Sequence, residues 1–256
     1  MSDILEKYTF GGVKITFASI KKLFSDTAAA HHEDKNFPET VAYAQITAAL
    51  LVSSCKEKDA SISVIIKNMD TAYGAVAEND GRICGYYEKI PVSDNEKTIL
   101  EITRRLYLRG DYKSVVCADN TENAVNEYLT TSLQSEAKFA LWKTDNGSFS
   151  GLLIEQFPIT KPEQEIWRNS ANREFEYLSP IIGGDMRIKR ELFKKYRLTD
   201  MISLKYGCTC SSETAANIIR NIPETELPDI ADENGYIEIV CKFCGKKRKK
   251  KVLWPE

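Results

Sequence analysis

The sequence predicts an α+β fold: an N-terminal core domain of β-hairpins and helices, a helical linker and a small C-terminal domain containing clustered cysteines. Three observations lead to this prediction. Residues 1–159 contain short alternating runs of apolar and polar residues, joined by glycine-containing turns. Residues 160–203 are more highly charged and have only narrow apolar stripes. Four of the seven cysteines fall in residues 204–256.

The overall composition is that of a folded protein with no general affinity for nucleic acid or membranes. Hydrophobic residues make up 43% of the chain and charged residues 28%, which is enough apolar surface for a core. The formal net charge is only −2. The first ten residues lack the apolar stretch of a secretory signal, and no window approaches the roughly 20 apolar residues of a membrane-spanning helix. We therefore expect a cytoplasmic protein that does not bind membranes.

One long helix and two hairpins are predicted early in the core domain. Residues 40–54 are rich in alanine and have helical apolar spacing, and the alternating run Ser61–Lys67 predicts a strand. The two hairpins are centred on Asp-Gly and Asn-Gly turns. Their strands are Tyr73–Glu78 with Arg82–Tyr87, and Phe139–Lys143 with Ser148–Phe157.

A second helix is predicted between the hairpins, over Thr121–Leu133, because Val125, Leu129 and Leu133 fall on one stripe. Residues 98–108 alternate like a strand but are also compatible with a short helix, and both interpretations stay open.

The linker, residues 160–203, is predicted to contain two amphipathic helices with a break between them. Their stripes are Trp167, Ala171, Phe175 and Leu178 in the first helix, and Ile188, Leu192, Phe193 and Tyr196 in the second. Stripes this narrow do not form a core alone, so the helices must dock on another part of the protein. The linker is therefore expected to be marginally stable.

The C-terminal cysteines have the spacing of a zinc site. Cys208-x-Cys210 is followed after thirty residues by Cys241-x-x-Cys244. Four thiolates form a closed tetrahedral site around Zn²⁺, with Zn–S distances near about 2.3 Å. An apolar core contributes about 3–5 kcal/mol to a unit of this size, whereas a structural zinc contributes an apparent ~10–16 kcal/mol. The alternatives are unrelated cysteines or two structural disulfides, which rarely persist in a reducing cytosol.

Local signals fit this interpretation. In the second pair a tight turn would bring both sulfurs to one ion, with Gly245 helping the chain to turn away. In an extended first pair, side chains two residues apart point the same way. Ser211 or Ser212 is predicted to cap a helix that ends near Asn221, and Tyr236–Val240 is predicted to be a strand.

The cysteine spacing and several core segments resemble the 33 kDa redox-regulated heat-shock chaperone family. The C-x-C pair, the wide gap and the C-x-x-C within CKFCGKK match the zinc module of that family. The alanine-rich helix, GAVAENDGRICGYY and SGLLIEQFP resemble its core, including Gly151, Leu153 and Pro158. The chain departs from the family in ADNTENAVNEYL, in SLQSEAKF and in KKRKKK, which replaces an aromatic-containing strand.

This resemblance implies a redox-regulated, ATP-independent holdase, a chaperone of the stress response. Reduced members of the family hold Zn²⁺ and are inactive. Oxidation expels the metal and unfolds the zinc unit and the linker. By analogy the disulfides would be Cys208–Cys210 and Cys241–Cys244, and residues 160–203 would melt. The exposed apolar surface then binds unfolded client proteins, often as a homodimer.

Two alternatives to the holdase stay open. The basic run Lys246–Lys251 fits an RNA- or ribosome-associated zinc module, although a solvated strand or tail would have the same composition, and only Phe243 and Trp254 lie near for base stacking. The zinc could also be purely structural.

Little in the sequence indicates an enzyme. The only two histidines, His31 and His32, are adjacent and leave few options for Ser–His or Cys–His catalysis. We predict no catalytic residues. The remaining three cysteines, Cys55, Cys84 and Cys117, are expected to pack as small apolar residues. Cys84 and Cys117 are expected to point inward.

Overall fold

The computed structural model describes residues 3–10, 13–31, 37–93, 96–106, 110–134, 137–156, 173, 176, 194 and 196–251, and it confirms the α+β class. Two sheets form the core domain. The first sheet has the strand order β10 (Arg197–Ser203), β1 (Ile4–Phe10), β2 (Val13–Ile20), β9 (Phe149–Gln156) and β8 (Ala137–Lys143). Its neighbouring strands are all antiparallel.

The second sheet is antiparallel except at one edge, where its first two strands are parallel. Its order is β11 (Lys205–Tyr206), β5 (Arg82–Lys89), β4 (Thr71–Glu78), β3 (Ser61–Asn68), β6 (Thr98–Leu106) and β7 (Gly110–Ala118). The helices whose bounds lie within the described residues are α1 (Lys22–Ala30), α2 (Thr40–Val52), α3 (Thr121–Thr131), α4 (Ser212–Arg220) and α5 (Leu227–Ile230). A separate ribbon pairs β12 (Tyr236–Val240) with β13 (Lys247–Lys251).

Helix α2 lies between the two sheets and is buried on nearly every side. This position explains its composition, because a helix that is apolar all round has no face suited to water. The first sheet approaches α2 closely at Gly151, where a Cβ atom would overlap the Ile46 side chain and lie 3.0 Å from Leu50 Cδ1. Glycine is therefore required at residue 151.

The predicted core elements are confirmed, and residues 98–106 of the open segment are a strand. In β6, Leu100 and Ile102 are buried against the core. Glu101 points to the other face, where its carboxylate accepts from Lys67 and forms an ion pair of 2.8 Å with Lys113. Apolar and polar side chains therefore alternate between the two faces of the sheet in this segment, an arrangement that a helix cannot provide.

The end of the predicted helical linker requires a correction. Residues 197–203 form strand β10, which pairs with β1 from Ile4 opposite Ser203 to Thr9 opposite Arg197. Tyr196 lies at a bend before this strand and is buried in a small apolar cluster. Pairing the backbone groups of β1, which would otherwise be a sheet edge, outweighs the helical pattern here. Most of residues 160–195 lies outside the described residues, although Arg173 and Glu176 are helical.

The next segment also belongs to the core. Leu204 is buried in the main apolar cluster, and Lys205–Tyr206 form the parallel edge strand β11. The chain therefore leaves the second sheet at Gly207, a few residues beyond the predicted boundary.

Within the part of the chain that the structure describes, no helix is both long and apolar enough to cross a membrane.

Candidate metal centre

The cysteine unit, residues 207–251, is a small assembly of two helices and a ribbon. Helix α4 begins after Ser211, whose Oγ accepts from the Thr214 N–H at 3.0 Å, so the predicted cap is confirmed as Ser211. The predicted strand Tyr236–Val240 is confirmed as β12. The unit's apolar cluster is centred on three buried side chains, Ile219, Leu227 and Ile237. Such a small cluster leaves room for a metal to supply much of the stability.

A turn between the strands of the ribbon brings the second cysteine pair together. The Gly245 N–H donates to the Cys241 carbonyl at 2.8 Å, and the Cys241 N–H donates to the Lys246 carbonyl at 3.0 Å. Gly245 adopts φ +65°, a left-handed conformation that favours glycine. The turn leaves Cys241 and Cys244 on one side, and Cys208 and Cys210 approach from the segment between β11 and α4.

The four sulfurs form one cluster. All lie within 4.8 Å of one another. Cys208 Sγ is 3.6 Å from Cys241 Sγ, and Cys210 Sγ is 3.5 Å from Cys244 Sγ. A tetrahedral ion with Zn–S bonds of about 2.3 Å requires sulfurs about 3.8 Å apart. The donor set and its spacing therefore fit one tetrahedrally bound metal ion.

The protonation of the cluster is uneven. Burial raises the pKa of Cys241 and Cys244. The pKa of Cys208 is raised first by a hydrogen bond with Cys84 and then by burial. Burial also acts to raise the pKa of Cys210, but hydrogen bonds from Arg248 and from the other cluster thiols outweigh it and lower the pKa to about 7. Metal binding at this cluster would therefore release protons.

Arg248 organises the side of the cluster around Cys210. Its Nη2 donates to the Cys210 carbonyl at 3.0 Å and lies 3.7 Å from Cys210 Sγ, while Nη1 donates to Ser212 Oγ at 3.0 Å. In the sequence, Arg248 is only one member of the basic run Lys246–Lys251. No spacing signal distinguishes it from its lysine neighbours.

The cysteine unit docks on the outer face of the second sheet. Phe243, inside the C-x-x-C turn, packs edge-to-face on Tyr86 with ring centroids 4.8 Å apart. Lys242 Nζ lies 2.6 Å from the Glu88 carboxylate and 5.7 Å from the centre of the Tyr86 ring. We call these interactions the docking contact. Beside it a groove of about 610 Å³ separates the unit from strands β3–β6.

The other sequence candidates lie elsewhere. Cys84 is buried, but it lines the groove under the cysteine unit rather than the core between the sheets. Cys117 was expected inside and is instead exposed, because β7 is an edge strand and alternation places its neighbour Val116 on the buried side. Cys55 is partly buried. A ring nitrogen of His31 lies 3.0 Å from the Gly85 carbonyl oxygen, and His32 lies outside the described residues.

Comparison with known proteins gives a consistent result. A 33 kDa chaperonin of Shewanella sediminis is 23% identical over an alignment of 271 residues, which covers 95% of this chain and 91% of that protein. A 33 kDa chaperonin of Chromobacterium violaceum is 24% identical over 192 residues, covering 73% of this chain but 65% of that protein.

Structure and family comparisons extend this similarity. The crystal structure of the 33 kDa chaperonin (heat shock protein 33 homolog) from Thermotoga maritima has the same fold, with a TM-score of 0.69 at 17% identity over 98% of this chain and 95% of that one. The sequence profile described as Hsp33 protein matches residues 4–249. Because this match spans nearly the whole chain, the protein belongs to the Hsp33 family.

Proposed function

We propose that the protein is a redox-regulated, ATP-independent holdase that binds unfolding proteins after oxidation and metal release. The observation that carries the proposal is the convergence of four thiols, from two separate segments, within 4.8 Å in a unit that covers one sheet. Thiols held this way are metal ligands when reduced and potential disulfide partners when oxidised. One chemical change at the cluster can therefore alter what the sheet exposes.

The metal that best suits the cluster is Zn²⁺, with Cys208, Cys210, Cys241 and Cys244 as its ligands. Soft thiolates in a closed tetrahedral set favour zinc over harder ions. Zinc would supply the positive charge that keeps all four sulfurs ionised. Arg248 holds Cys210 in place through its carbonyl and sulfur.

Oxidation would release the cysteine unit from the second sheet. By analogy with the family, the disulfides would be Cys208–Cys210 and Cys241–Cys244. The turn that presents Phe243 depends on the position of the second pair, so its rearrangement would break the docking contact. Tyr86, now 6% exposed, and Val76 would then face solvent. An exposed sheet with apolar side chains suits unfolded client chains, and a second copy could cover part of it as a homodimer.

The test combines metal analysis and thiol titration with an aggregation assay on the same samples. Reduced protein should hold one zinc and four protected thiols, and should not suppress aggregation of a heat-denatured client. Treatment with peroxide and heat, or with hypochlorous acid, should release the zinc and suppress aggregation. Cys117→Ala, which removes an exposed cysteine on the far edge strand, serves as the matched control and should behave like the parent. Zinc loss with unchanged aggregation would exclude the holdase and favour a purely structural metal.

A second candidate function, RNA or ribosome binding, is favoured by the basic strand β13. Lys249, Lys250 and Lys251 are exposed. Among the residues that the structure describes, the strand forms ion pairs with Glu238, which lies 3.2 Å from Lys247 and 3.7 Å from Lys249. Replacing residues 249–251 with glutamine should weaken RNA binding and reduce its salt dependence. RNA affinity that is unaffected by this change would exclude the candidate.

A further inference from the structure

Cys84 lies on β5 directly beside the segment that carries the first cysteine pair. Strand β11 pairs in parallel with β5 up to Tyr206 opposite Ile83. The Gly207 N–H then donates to the Ile83 carbonyl at 3.0 Å, so the chain still follows β5 when it reaches Cys208. Adjacent strands are about 4.8 Å apart, and disulfides join Cα atoms roughly 4.4–6.8 Å apart. Continuing this register would place Gly207 opposite Cys84 and Cys208 one residue further, at a Cα separation of about 6 Å, which a disulfide can span.

The two side chains also face the same space, because Cys84 and Cys208 both line the groove beneath the cysteine unit. Cys84 is 3% exposed, whereas Cys208 is partly exposed. Of these two thiols, Cys208 is therefore the one that an oxidant from solvent reaches first, and Cys84 would act as the buried second thiol. The other two cysteines outside the cluster, Cys55 and Cys117, do not line this groove.

We propose that Cys84 is a fifth redox-active cysteine and that oxidation by a peroxide joins it to Cys208 in a disulfide between the core and the cysteine unit. The proposal rests on the proposed function, because oxidation must first free Cys208 from the metal. It adds a modification site to the four cluster cysteines.

The chemistry balances with hydrogen peroxide as the oxidant. The Cys208 thiolate attacks one peroxide oxygen and the O–O bond breaks, giving a sulfenic acid and hydroxide, and the hydroxide takes up the proton that the thiol had released and becomes water. The Cys84 thiolate then attacks the sulfenic sulfur and forms the S–S bond, while the departing hydroxide takes up a proton to become water. Two thiols lose two electrons and two protons, and one peroxide becomes two water molecules.

This disulfide would act as a restraint on activation. A Cys208 bonded to Cys84 is unavailable to Cys210, and the bond holds the cysteine unit against the second sheet. Oxidised molecules would therefore divide between a released form and a tethered form that still covers Tyr86. Removing the Cys84 sulfur should direct all oxidised molecules to the released form.

The test is disulfide mapping of the zinc-loaded full chain after hydrogen peroxide treatment. Remaining thiols are alkylated and the protein is digested with trypsin without reduction. The expected product is peptide 83–89 linked to peptide 206–220, with fragmentation between Cys208 and Cys210 assigning the bonded sulfur. Cys84→Ala and Cys84→Ser should lose this product and gain the internally bonded peptide 206–220. Cys117→Ala should retain the linked product.

Each possible result supports or contradicts either the disulfide between Cys84 and Cys208 or the holdase function. Released zinc and an internal Cys208–Cys210 bond, with Cys84 fully alkylated in the parent, would overturn the inference and leave the holdase untouched. A link from Cys84 to Cys210 would also overturn it. The expected link without any suppression of client aggregation, in parent or Cys84→Ala, would support the inference and count against the holdase. The parent and Cys117→Ala maps are decisive even if the Cys84 variants do not fold.

Discussion

The core domain and the cysteine unit are stabilised by different interactions. The core packs α2 between two sheets in one continuous apolar cluster that includes Ile46, Leu50 and Phe139. The cysteine unit has a cluster centred on Ile219 and a sulfur cluster that could hold a metal. Apolar burial is insensitive to redox conditions, whereas thiolate ligation is lost on oxidation. Oxidation should therefore leave the stability of the core domain unchanged and lower the stability of the cysteine unit.

The difference shows why the two regions must meet at a weak interface. The docking contact consists of one ring pair, the ion pair of Lys242 with Glu88, and the approach of Lys242 to the Tyr86 ring. An interface of this size holds the cysteine unit only while its turn is ordered. Had the unit shared the core's apolar cluster, losing the metal would destabilise the whole protein.

The largest expected effect comes from removing the metal. Chelation of the reduced protein should unfold the cysteine unit, because a structural zinc contributes an apparent ~10–16 kcal/mol near neutral pH. Hydrogen exchange measured by mass spectrometry should show loss of protection in Ser212–Arg220 and Tyr236–Val240, with Thr40–Val52 still protected. Cys241→Ser, which removes one of the four sulfurs, should show the same loss of protection without chelator. Simultaneous loss of protection in all three segments would contradict the comparison.

The elements that could be predicted from the sequence are those in which one physical signal dominates. The cysteine spacing located the sulfur cluster because ligation requires soft donors close in space. The hairpin around Gly81 was predictable because φ +87° favours glycine. Strand β2 was not predicted, although the alternation of Val13, Ile15 and Phe17 with Lys14 and Thr16 is a local strand signal. Strand β7 was not predicted because it is an edge strand with few buried residues.

Long-range placement was not predictable from the sequence. Strand β10 is specified by its partner β1, which precedes it by nearly the whole chain. Cys84 has no neighbouring motif, and only the parallel pairing of β11 with β5 brings it to Cys208. In the sequence, Phe243 is only one of two aromatic residues near the basic run, and its packing on Tyr86 required the structure.

A truncation in the core should have the second largest effect and should leave the metal bound. Phe139 is 2% exposed, and Phe139→Ala should lower the free energy of unfolding of the core by about 3–5 kcal/mol because it leaves a cavity. Denaturant unfolding and zinc analysis measure both consequences. The control is Tyr112→Ala, which removes an aromatic side chain that is 52% exposed and should change stability little. Zinc loss in folded Phe139→Ala would show that the two regions are not independent.

Weakening the docking contact should have a smaller effect. It should change the fraction of molecules in which the cysteine unit has left the sheet, and not the stability of either region. Phe243→Ala removes an aromatic pair worth about 0.5–1.5 kcal/mol, so the undocked population should rise about 2- to 12-fold. Alkylation of Cys84, which the docked unit covers, reports this population in reduced, zinc-loaded protein. Val240→Ala, at a side chain 51% exposed on the same unit, is the matched control. An unchanged alkylation rate in Phe243→Ala would mean that the ring pair does not hold the unit in place.

The smallest effect is expected from the ion pair between Lys242 and Glu88. Both side chains are substantially exposed, at 62% and 35%, so the pair is worth at most about 1 kcal/mol. Glu88→Gln should therefore raise Cys84 alkylation less than about fivefold, and the difference should vanish in 1 M salt, where charges are screened beyond about 3 Å. Lys242→Gln should have a larger effect that salt only partly removes, because Lys242 also lies over the Tyr86 ring. Equal effects of the two substitutions at every salt concentration would assign the whole contribution of Lys242 to its charge pairing and none to the ring.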